Sequence, residues 1–130
     1  MFEKKIVLDT CAILWLASGD TALSAAALKT IENASVVFVS PISAWEISLK
    51  AADGKLELPI EPEEWFEQTV RNHALTIADL STAILCAANR LPFHHRDPAD
   101  RFIIATALQE NAAVVTSDER FKPYGVRLIS

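Results

Sequence analysis

Four carboxylate side chains stand where a predicted strand ends or a predicted helix begins. Asp9 ends the apolar run K-I-V-L-D, and Asp118 directly follows A-V-V-T-S. Glu46 and Asp100 are predicted to lie in the first turns of two helices. Carboxylates that pack together repel one another, so a cluster of them is tolerable when a cation neutralises it. A set of hard oxygen ligands favours Mg²⁺ or Mn²⁺ over zinc and is typical of phosphate chemistry.

Asp100 is the acid whose position is hardest to explain as a surface residue. It precedes Ile103, Ile104 and Ala107 by three, four and seven residues. That spacing places Asp100 on the helix stripe that should face the core. A role as a metal ligand would explain an inward carboxylate.

Each acid also has a purely structural explanation. Asp9 and Asp118 can cap the turns that follow them. Glu46 completes a capping box, S-A-W-E, in which Ser43 is the predicted N-cap. Asp97, followed by proline, is a good N-cap for the helix that contains Asp100. Four independent caps would not need to converge, so their predicted convergence favours the functional interpretation.

The elements that must position these acids alternate along the chain. Short apolar runs predict strands at residues 5–9, 36–40, 75–78 and 113–117 and in V-R-L-I near the C-terminus. Segments with helical spacing and capping residues separate these strands. This alternation predicts an α/β fold, a three-layer α/β/α sandwich with a mostly parallel central sheet. Right-handed crossovers would bring all four acids to one edge of that sheet, where ligands of such folds collect.

Length and composition limit the other possibilities. A chain of 130 residues predicts one domain spanning residues 1–130, and 51% hydrophobic content with a mean hydropathy of +0.21 predicts a substantial core. Two cysteines are too few for a disulfide framework. The chain has no apolar run of about 18 residues and no signal-peptide pattern, so we expect a cytoplasmic protein without a membrane span. A net charge of −5 is not typical of a nucleic-acid-binding protein, although a bound cation would reverse the charge locally.

Four sequence blocks resemble the PIN-domain ribonucleases that serve as toxins of VapBC-type toxin–antitoxin modules. The blocks are I-V-L-D-T-C-A-I-L-W-L, S-P-I-S-A-W-E-I-S-L-K, H-R-D-P-A-D-R-F-I-I-A-T-A-L and V-V-T-S-D-E-R-F-K-P-Y. They fall in order between residues 6 and 124, so the resemblance covers nearly the whole chain. It departs from the family at Cys11, where many relatives carry histidine, and at Ala99, where many carry a bulky aromatic residue.

The resemblance implies a PIN-like sandwich and a metal-dependent endoribonuclease. Its catalytic, metal-binding acids would be Asp9, Glu46, Asp100 and Asp118, which hold Mg²⁺ or Mn²⁺ and hydrolyse RNA phosphodiester bonds. Supporting positions would be Thr10 and Ser117 as hydroxyls beside the metal, Asp97 as a helix cap, and Arg101 as a contact to the ligands or to phosphate. The implied partners are RNA, a cognate antitoxin protein whose C-terminal segment covers the site, and a second copy of the chain in a homodimer.

Other interpretations remain open at this point. The acids could be caps and a docking patch in a non-catalytic PIN-like interaction module, or the same site could belong to a nuclease that also cuts DNA. A phosphotransfer domain is disfavoured, because Cys11 stands where a second aspartate is required. His94 and His95 are expected in a loop or in contact with the ligands, rather than as ligands themselves. The three tryptophans, Trp15, Trp45 and Trp65, are expected in the core or at an interface.

Overall fold

The computed structural model describes residues 3–130 and has an α/β architecture. The strands are β1 (Lys5–Leu8), β2 (Val36–Val39), β3 (Thr76–Ile77), β4 (Ala113–Val115) and β5 (Leu128–Ile129). The helices are α1 (Thr10–Ser18), α2 (Ala25–Asn33), α3 (Pro41–Ala52), α4 (Pro62–Asn72), α5 (Thr82–Arg90) and α6 (Pro98–Glu110). A 3₁₀ segment, Glu119–Tyr124, follows β4. No helix within residues 3–130 is long and apolar enough to cross a membrane.

The five strands form one sheet in the order β3-β2-β1-β4-β5, and every pair in it is parallel. Strand β1 lies at the centre, between β2 and β4. Helices lie between successive strands, as the right-handed crossover rule requires for parallel neighbours. The predicted three-layer α/β/α sandwich is confirmed.

The core lies on both faces of the sheet because side chains of a strand alternate in direction. In β1, Ile6 and Leu8 pack on the face covered by α1, α2 and α4. Val7, between them, packs on the face covered by α6 and the 3₁₀ segment. All three side chains are completely buried, which explains why the central strand reads as a continuous apolar run.

Helix α3 begins three residues earlier than the capping box predicts. Its N-cap is Ser40, whose side chain accepts a hydrogen bond from the backbone N–H of Ile42, and Pro41 occupies the first helical position. Proline is favoured there because its missing N–H has no partner to lose. The predicted N-cap, Ser43, is instead a buried residue inside the helix. Glu46 therefore lies in the second turn of α3, and the prediction that it lies in the first turn is wrong.

The carboxyl edge of the sheet brings distant segments together. Strands β1 and β4 are neighbours, with Leu8 paired to Val115, and the backbone N–H of Asp9 donates to the carbonyl of Val115 at 3.1 Å. Strands β1 and β4 therefore end side by side. Residues 116–118 consequently lie beside Asp9, and the candidate site includes both segments.

Candidate metal centre at the carboxyl edge of the sheet

Asp9 is the most buried of the four predicted acids, with 6% of its surface exposed. Its carboxylate caps α1 by accepting the backbone N–H of Ala12 at 2.8 Å. Burial raises the pKa of Asp9, hydrogen bonds from Thr116 and Ala12 oppose that rise, and the charges of Asp118 and Glu46 add to it. Asp9 is thus both the N-cap of α1 and a neighbour of the other acids, and its hydrogen bond with Ala12 fixes the position of its carboxylate.

Asp118 follows β4 and caps the 3₁₀ segment through the backbone N–H of Arg120. The Arg120 side chain also makes a bidentate pair with it, from Nε to Oδ1 at 3.0 Å and from a terminal nitrogen to Oδ2 at 2.9 Å. These bonds, together with one from His95, lower the pKa of Asp118 to about 2. Asp118 is therefore firmly ionised and is already paired with a cation on its solvent side.

Asp100 lies in the first turn of α6, as predicted, with 17% of its side chain exposed. Burial raises the pKa of this carboxyl to about 7, and the neighbouring acids Asp97, Glu46, Asp9 and Asp118 raise it further. Each of those causes opposes the charged form. The charged form of Asp100 is thus disfavoured by its surroundings, and a cation nearby would favour it.

His95 lies between Asp100 and Asp118. Its side chain is completely buried, and Nε2 lies 3.0 Å from an Oδ2 atom of Asp100 and 3.0 Å from an Oδ2 atom of Asp118. Within residues 3–130, these three residues form the one group of potential ligands whose atoms all lie within 4.8 Å of one another. The sequence-based ligand set contained no histidine, so the structure adds His95 to the site.

Glu46 and Asp9 stand outside that compact group but within electrostatic range of it. The charge of Glu46 raises the pKa of both Asp9 and Asp100. Glu46 is half-buried on α3, which packs against α1 and α6. The four predicted acids are therefore brought to one edge, with Asp100 and Asp118 closest together and the other two around them.

The hydroxyl neighbours differ in part from the predicted ones. Thr10 is buried and shares a hydrogen bond of 2.9 Å with Ser43, which ties the start of α1 to α3. Ser117 is exposed, whereas the buried Thr116 accepts the backbone N–H of Asp118 at 3.0 Å and also bonds Asp9. The Thr116 hydroxyl, which was not among the predicted positions, therefore contacts both Asp118 and Asp9. The pairing of Leu8 with Val115 identifies Thr116, because Asp9 and Thr116 are the residues that follow this pair on the two strands.

Asp97 and Arg101 both support the fold of this edge. Asp97 caps α6 by accepting the backbone N–H of Ala99 at 3.0 Å, as predicted. Arg101 is 5% exposed, and its guanidinium stacks 4.5 Å from the ring centroid of Phe93. It donates to the carbonyl oxygens of Ala88, Leu91, Pro92 and His95. A side chain so engaged holds the α5–α6 loop in place and is unavailable to an RNA phosphate, which corrects that part of the prediction.

Cys11 stands at the rim, where the resemblance noted a departure from histidine. Burial raises the pKa of its thiol, and the charges of Asp9, Glu46 and Asp100 contribute to the rise. The charge of Lys50 opposes that rise. A thiol with a raised pKa stays protonated at neutral pH, and a protonated thiol is a poor nucleophile.

Known proteins resemble this chain in sequence and in fold. Ribonuclease VapC22 of Mycobacterium tuberculosis is 31% identical over 120 residues, which are 92% of this chain and 91% of that protein. The DNA-bound VapBC structure from Salmonella typhimurium has a TM-score of 0.69 at 19% identity, covering 99% of this chain and 98% of that one. VapBC2 from Rickettsia felis, bound to a DNA fragment from their promoter, has a TM-score of 0.68 at 18% identity, covering 96% and 97%. At identities of 18% and 19%, the similarity to these structures shows the fold alone.

The PIN domain family matches residues 6–126, which is nearly the entire chain and includes every residue of the acidic site. That match and the relative at 31% identity agree with the parallel sheet and with the acids at its carboxyl edge. This chain therefore belongs to the PIN domain family.

Proposed function

We propose that this chain is a Mg²⁺- or Mn²⁺-dependent endoribonuclease that acts as the toxin of a type II toxin–antitoxin module. The observation that carries the proposal is the gathering of Asp9, Glu46, Asp100 and Asp118 at one sheet edge, with the pKa of Asp100 raised to about 7. Family membership and the relative that is named a ribonuclease support it.

The residues fit a divalent cation by their chemistry. The four acids supply carboxylate oxygens, which are the ligands that Mg²⁺ and Mn²⁺ prefer. Their charges oppose one another in the protein alone, so a bound cation would relieve repulsion that folding has created. The Arg120 guanidinium on Asp118 is 66% exposed, so solvent and ions reach this side of the site.

The chain's own residues would bind the ion and orient the reactants. Asp9, Glu46, Asp100 and Asp118 would hold the cation, and Glu46, which is half-buried beside the others, would also orient the water that attacks phosphorus. A divalent cation bound there would polarise the phosphoryl oxygen and stabilise charge on the oxygen that leaves. Thr116 keeps Asp9 and Asp118 in register through its hydroxyl group.

Cleavage of RNA by the purified, antitoxin-free protein tests the proposal. We expect cleavage with Mg²⁺ or Mn²⁺ and none in excess EDTA. Asp9→Asn and Asp100→Asn should each lower the rate at least ~100-fold, because removal of a ligand exceeds the 10–100-fold effect of losing a partner of a ligand. Asp53→Asn, an exposed acid at the end of α3, is the matched control and should cleave normally.

Two results would count against the proposal. Undiminished cleavage by both ligand variants, or by the wild type in excess EDTA, would exclude a metal site formed by these acids. Binding of a protein partner without any metal-dependent cleavage would favour the non-catalytic interaction module instead. Digestion of RNA and DNA side by side separates a ribonuclease from a general nuclease, and we propose that the protein acts in the cytoplasm.

The proposed antitoxin would bind at two places. An apolar groove of about 670 Å³ between α1 and α2 is lined by Trp15, Leu16, Leu28 and Ile31, among others, and suits an apolar segment of the partner. A partner arginine would then pair with the acids, as Arg120 already does with Asp118. Leu28→Asp should abolish co-purification with the antitoxin and leave cleavage intact. Leu108→Asp on α6, also exposed, should leave both unchanged.

The homodimer would cover apolar side chains that the protomer leaves exposed. Trp45 and Leu49, one turn apart on α3, are 59% and 44% exposed. Such a pair supports a contact between two copies of the chain, in keeping with the interface role expected for tryptophan. Light scattering should give a dimer for the wild type and a monomer for Trp45→Glu, and a wild-type monomer would contradict this part of the proposal.

A further inference from the structure

We propose that His95 is a positioning residue that holds the carboxylates of Asp100 and Asp118 at the spacing a divalent cation needs. The inference rests on the proposed function and adds a residue to its site. His95 contacts both acids through one nitrogen, Nε2, at 3.0 Å each, and has no exposed surface. It thereby joins the first turn of α6 to the segment that follows β4.

The hydrogen bonds of the imidazole define its role. The ring nitrogen Nδ1 accepts the backbone N–H of Asp97 at 3.2 Å, so the ring proton lies on Nε2. Nε2–H then donates to Asp118, with Asp100 equally close. Both nitrogens are occupied in this tautomer, and a protonated Nε2 has no lone pair for a metal. His95 therefore orients ligands and is not itself one.

Hydrogen bonds of its backbone and packing of its ring fix the position of the His95 imidazole. The backbone N–H of His95 donates to the hydroxyl of Tyr124 at 2.7 Å, and its carbonyl accepts from Arg101 at 3.1 Å. The ring packs edge-on against the buried Phe121, with centroids 5.5 Å apart. These contacts come from α6, which carries Asp100, and from the 3₁₀ segment, of which Asp118 is the N-cap. The imidazole and the two carboxylates are consequently fixed to one frame.

This arrangement lowers the cost of assembling the metal site. Two carboxylates drawn to within 4.8 Å repel each other, and a shared N–H donor offsets part of that repulsion before any cation binds. Mg²⁺ demands ligands at about 2.0–2.1 Å in near-octahedral geometry, so oxygens already held close need little rearrangement. Partners that orient ligands in this way typically change metal affinity about 10–100-fold.

Two substitutions separate positioning from simple filling of space. The amide nitrogen of His95→Gln can take the place of Nε2 and donate to the acids, whereas that of His95→Asn reaches only the level of Nδ1. We expect His95→Asn to weaken Mn²⁺ binding by the RNA-free protein ~10-fold or more and His95→Gln to stay within about threefold of the wild type. Saturating Mn²⁺ should restore most of kcat in both, with the KM for RNA unchanged.

The outcomes distinguish this inference from the proposed function. Normal Mn²⁺ affinity in His95→Asn, or equal losses in both variants that follow their melting temperatures in EDTA, would overturn the positioning role alone. A wild type that neither binds Mn²⁺ nor cleaves RNA with it would overturn both.

Nitrogen NMR of the wild type tests the same inference without any substitution. We expect His95 to carry its proton on Nε2 in EDTA and to keep it when Mg²⁺ is added, with a change in the chemical shift. A proton on Nδ1, or loss of the Nε2 proton on adding Mg²⁺, would make His95 a ligand and contradict its role as a donor.

Discussion

Asp100 and Asp118 face the same nitrogen of His95, yet their surroundings treat the two carboxyl groups in opposite ways. At the start of α6, burial and four neighbouring acids raise the pKa of Asp100 to about 7. After β4, hydrogen bonds from Arg120 and His95 lower the pKa of Asp118 to about 2. Two residues of the same type thus differ in their preferred state: the surroundings of Asp100 disfavour its charged form, and those of Asp118 favour it. A bound cation would favour the charged form of Asp100. On the Asp118 side, the Arg120 guanidinium already pairs with the carboxylate.

The largest expected effect comes from Arg101, which fixes the loop before the helix that carries Asp100. Arg101→Met removes the guanidinium from a buried place where it holds backbone carbonyl groups of the α5–α6 loop. The change should lower the free energy of unfolding by about 3–5 kcal/mol, because those carbonyl groups lose their partners. Urea unfolding measures it. Arg96→Met, an exposed neighbour, is the control, and an equal loss in both variants would contradict the assigned role of Arg101.

The second prediction concerns pH and the sign of two matched substitutions. In EDTA, the unfolded chain releases the Asp100 proton near its ordinary pKa of 3.8, and the folded chain keeps it until about 7. The unfolded state therefore binds fewer protons in that window, and stability falls as pH rises through it. Asp100→Asn should remove this fall and make the metal-free protein roughly 2–4 kcal/mol more stable at about pH 8, at 1.36 kcal/mol per pKa unit.

Asp118→Asn should have the opposite sign. The pKa of Asp118 is lowered in the folded protein, so its ionised form contributes stability that is present above the ordinary pKa and is lost as pH falls towards about 2. The variant should melt at a lower temperature than the wild type at neutral pH. Calorimetry in EDTA compares the two variants directly, and shifts of the same sign would refute the contrast drawn between the two acids.

The smallest expected effect tests whether Arg120 competes with the ion. Its bidentate pair occupies both oxygens of Asp118, yet the arginine is largely exposed. Arg120→Ala should tighten Mn²⁺ binding by roughly two- to fivefold, as expected for the loss of a weak surface pair. Lys122→Ala, which removes another exposed cation from the same 3₁₀ segment, should leave the affinity unchanged. Weaker binding in Arg120→Ala would mean that the arginine helps to hold the ion.

Much of the fold could be predicted because local patterns agree with the tertiary structure. The apolar run at residues 5–9 contains the central strand, Lys5–Leu8, and Asp97 caps its helix as predicted. The start of α3 was missed because two serines compete for the cap. Ser40 precedes a proline, and the proline decides between them.

The site was predictable in its acids and less so in what holds them. The acids could be predicted because they lie at strand ends and near helix starts, and a parallel topology brings these positions to one edge of the sheet. The contact of His95 with both Asp100 and Asp118 depends on how a loop folds back, for which no local pattern exists. Arg101 was misread for a related reason: its partners are backbone carbonyl groups of the preceding loop, which are invisible in side-chain identities. Neither residue type nor spacing reports such bonds.

The most direct test of the central claim is a Mn²⁺ titration of the metal-free, antitoxin-free protein, followed by calorimetry or by the Mn²⁺ paramagnetic resonance signal. If the acids at the carboxyl edge jointly hold the cation, the wild type binds, Asp53→Asn binds equally well, and Asp9→Asn and Asp100→Asn each bind at least ~100-fold more weakly. Wild-type affinity in both ligand variants, or no saturable binding by the wild type, would contradict the account.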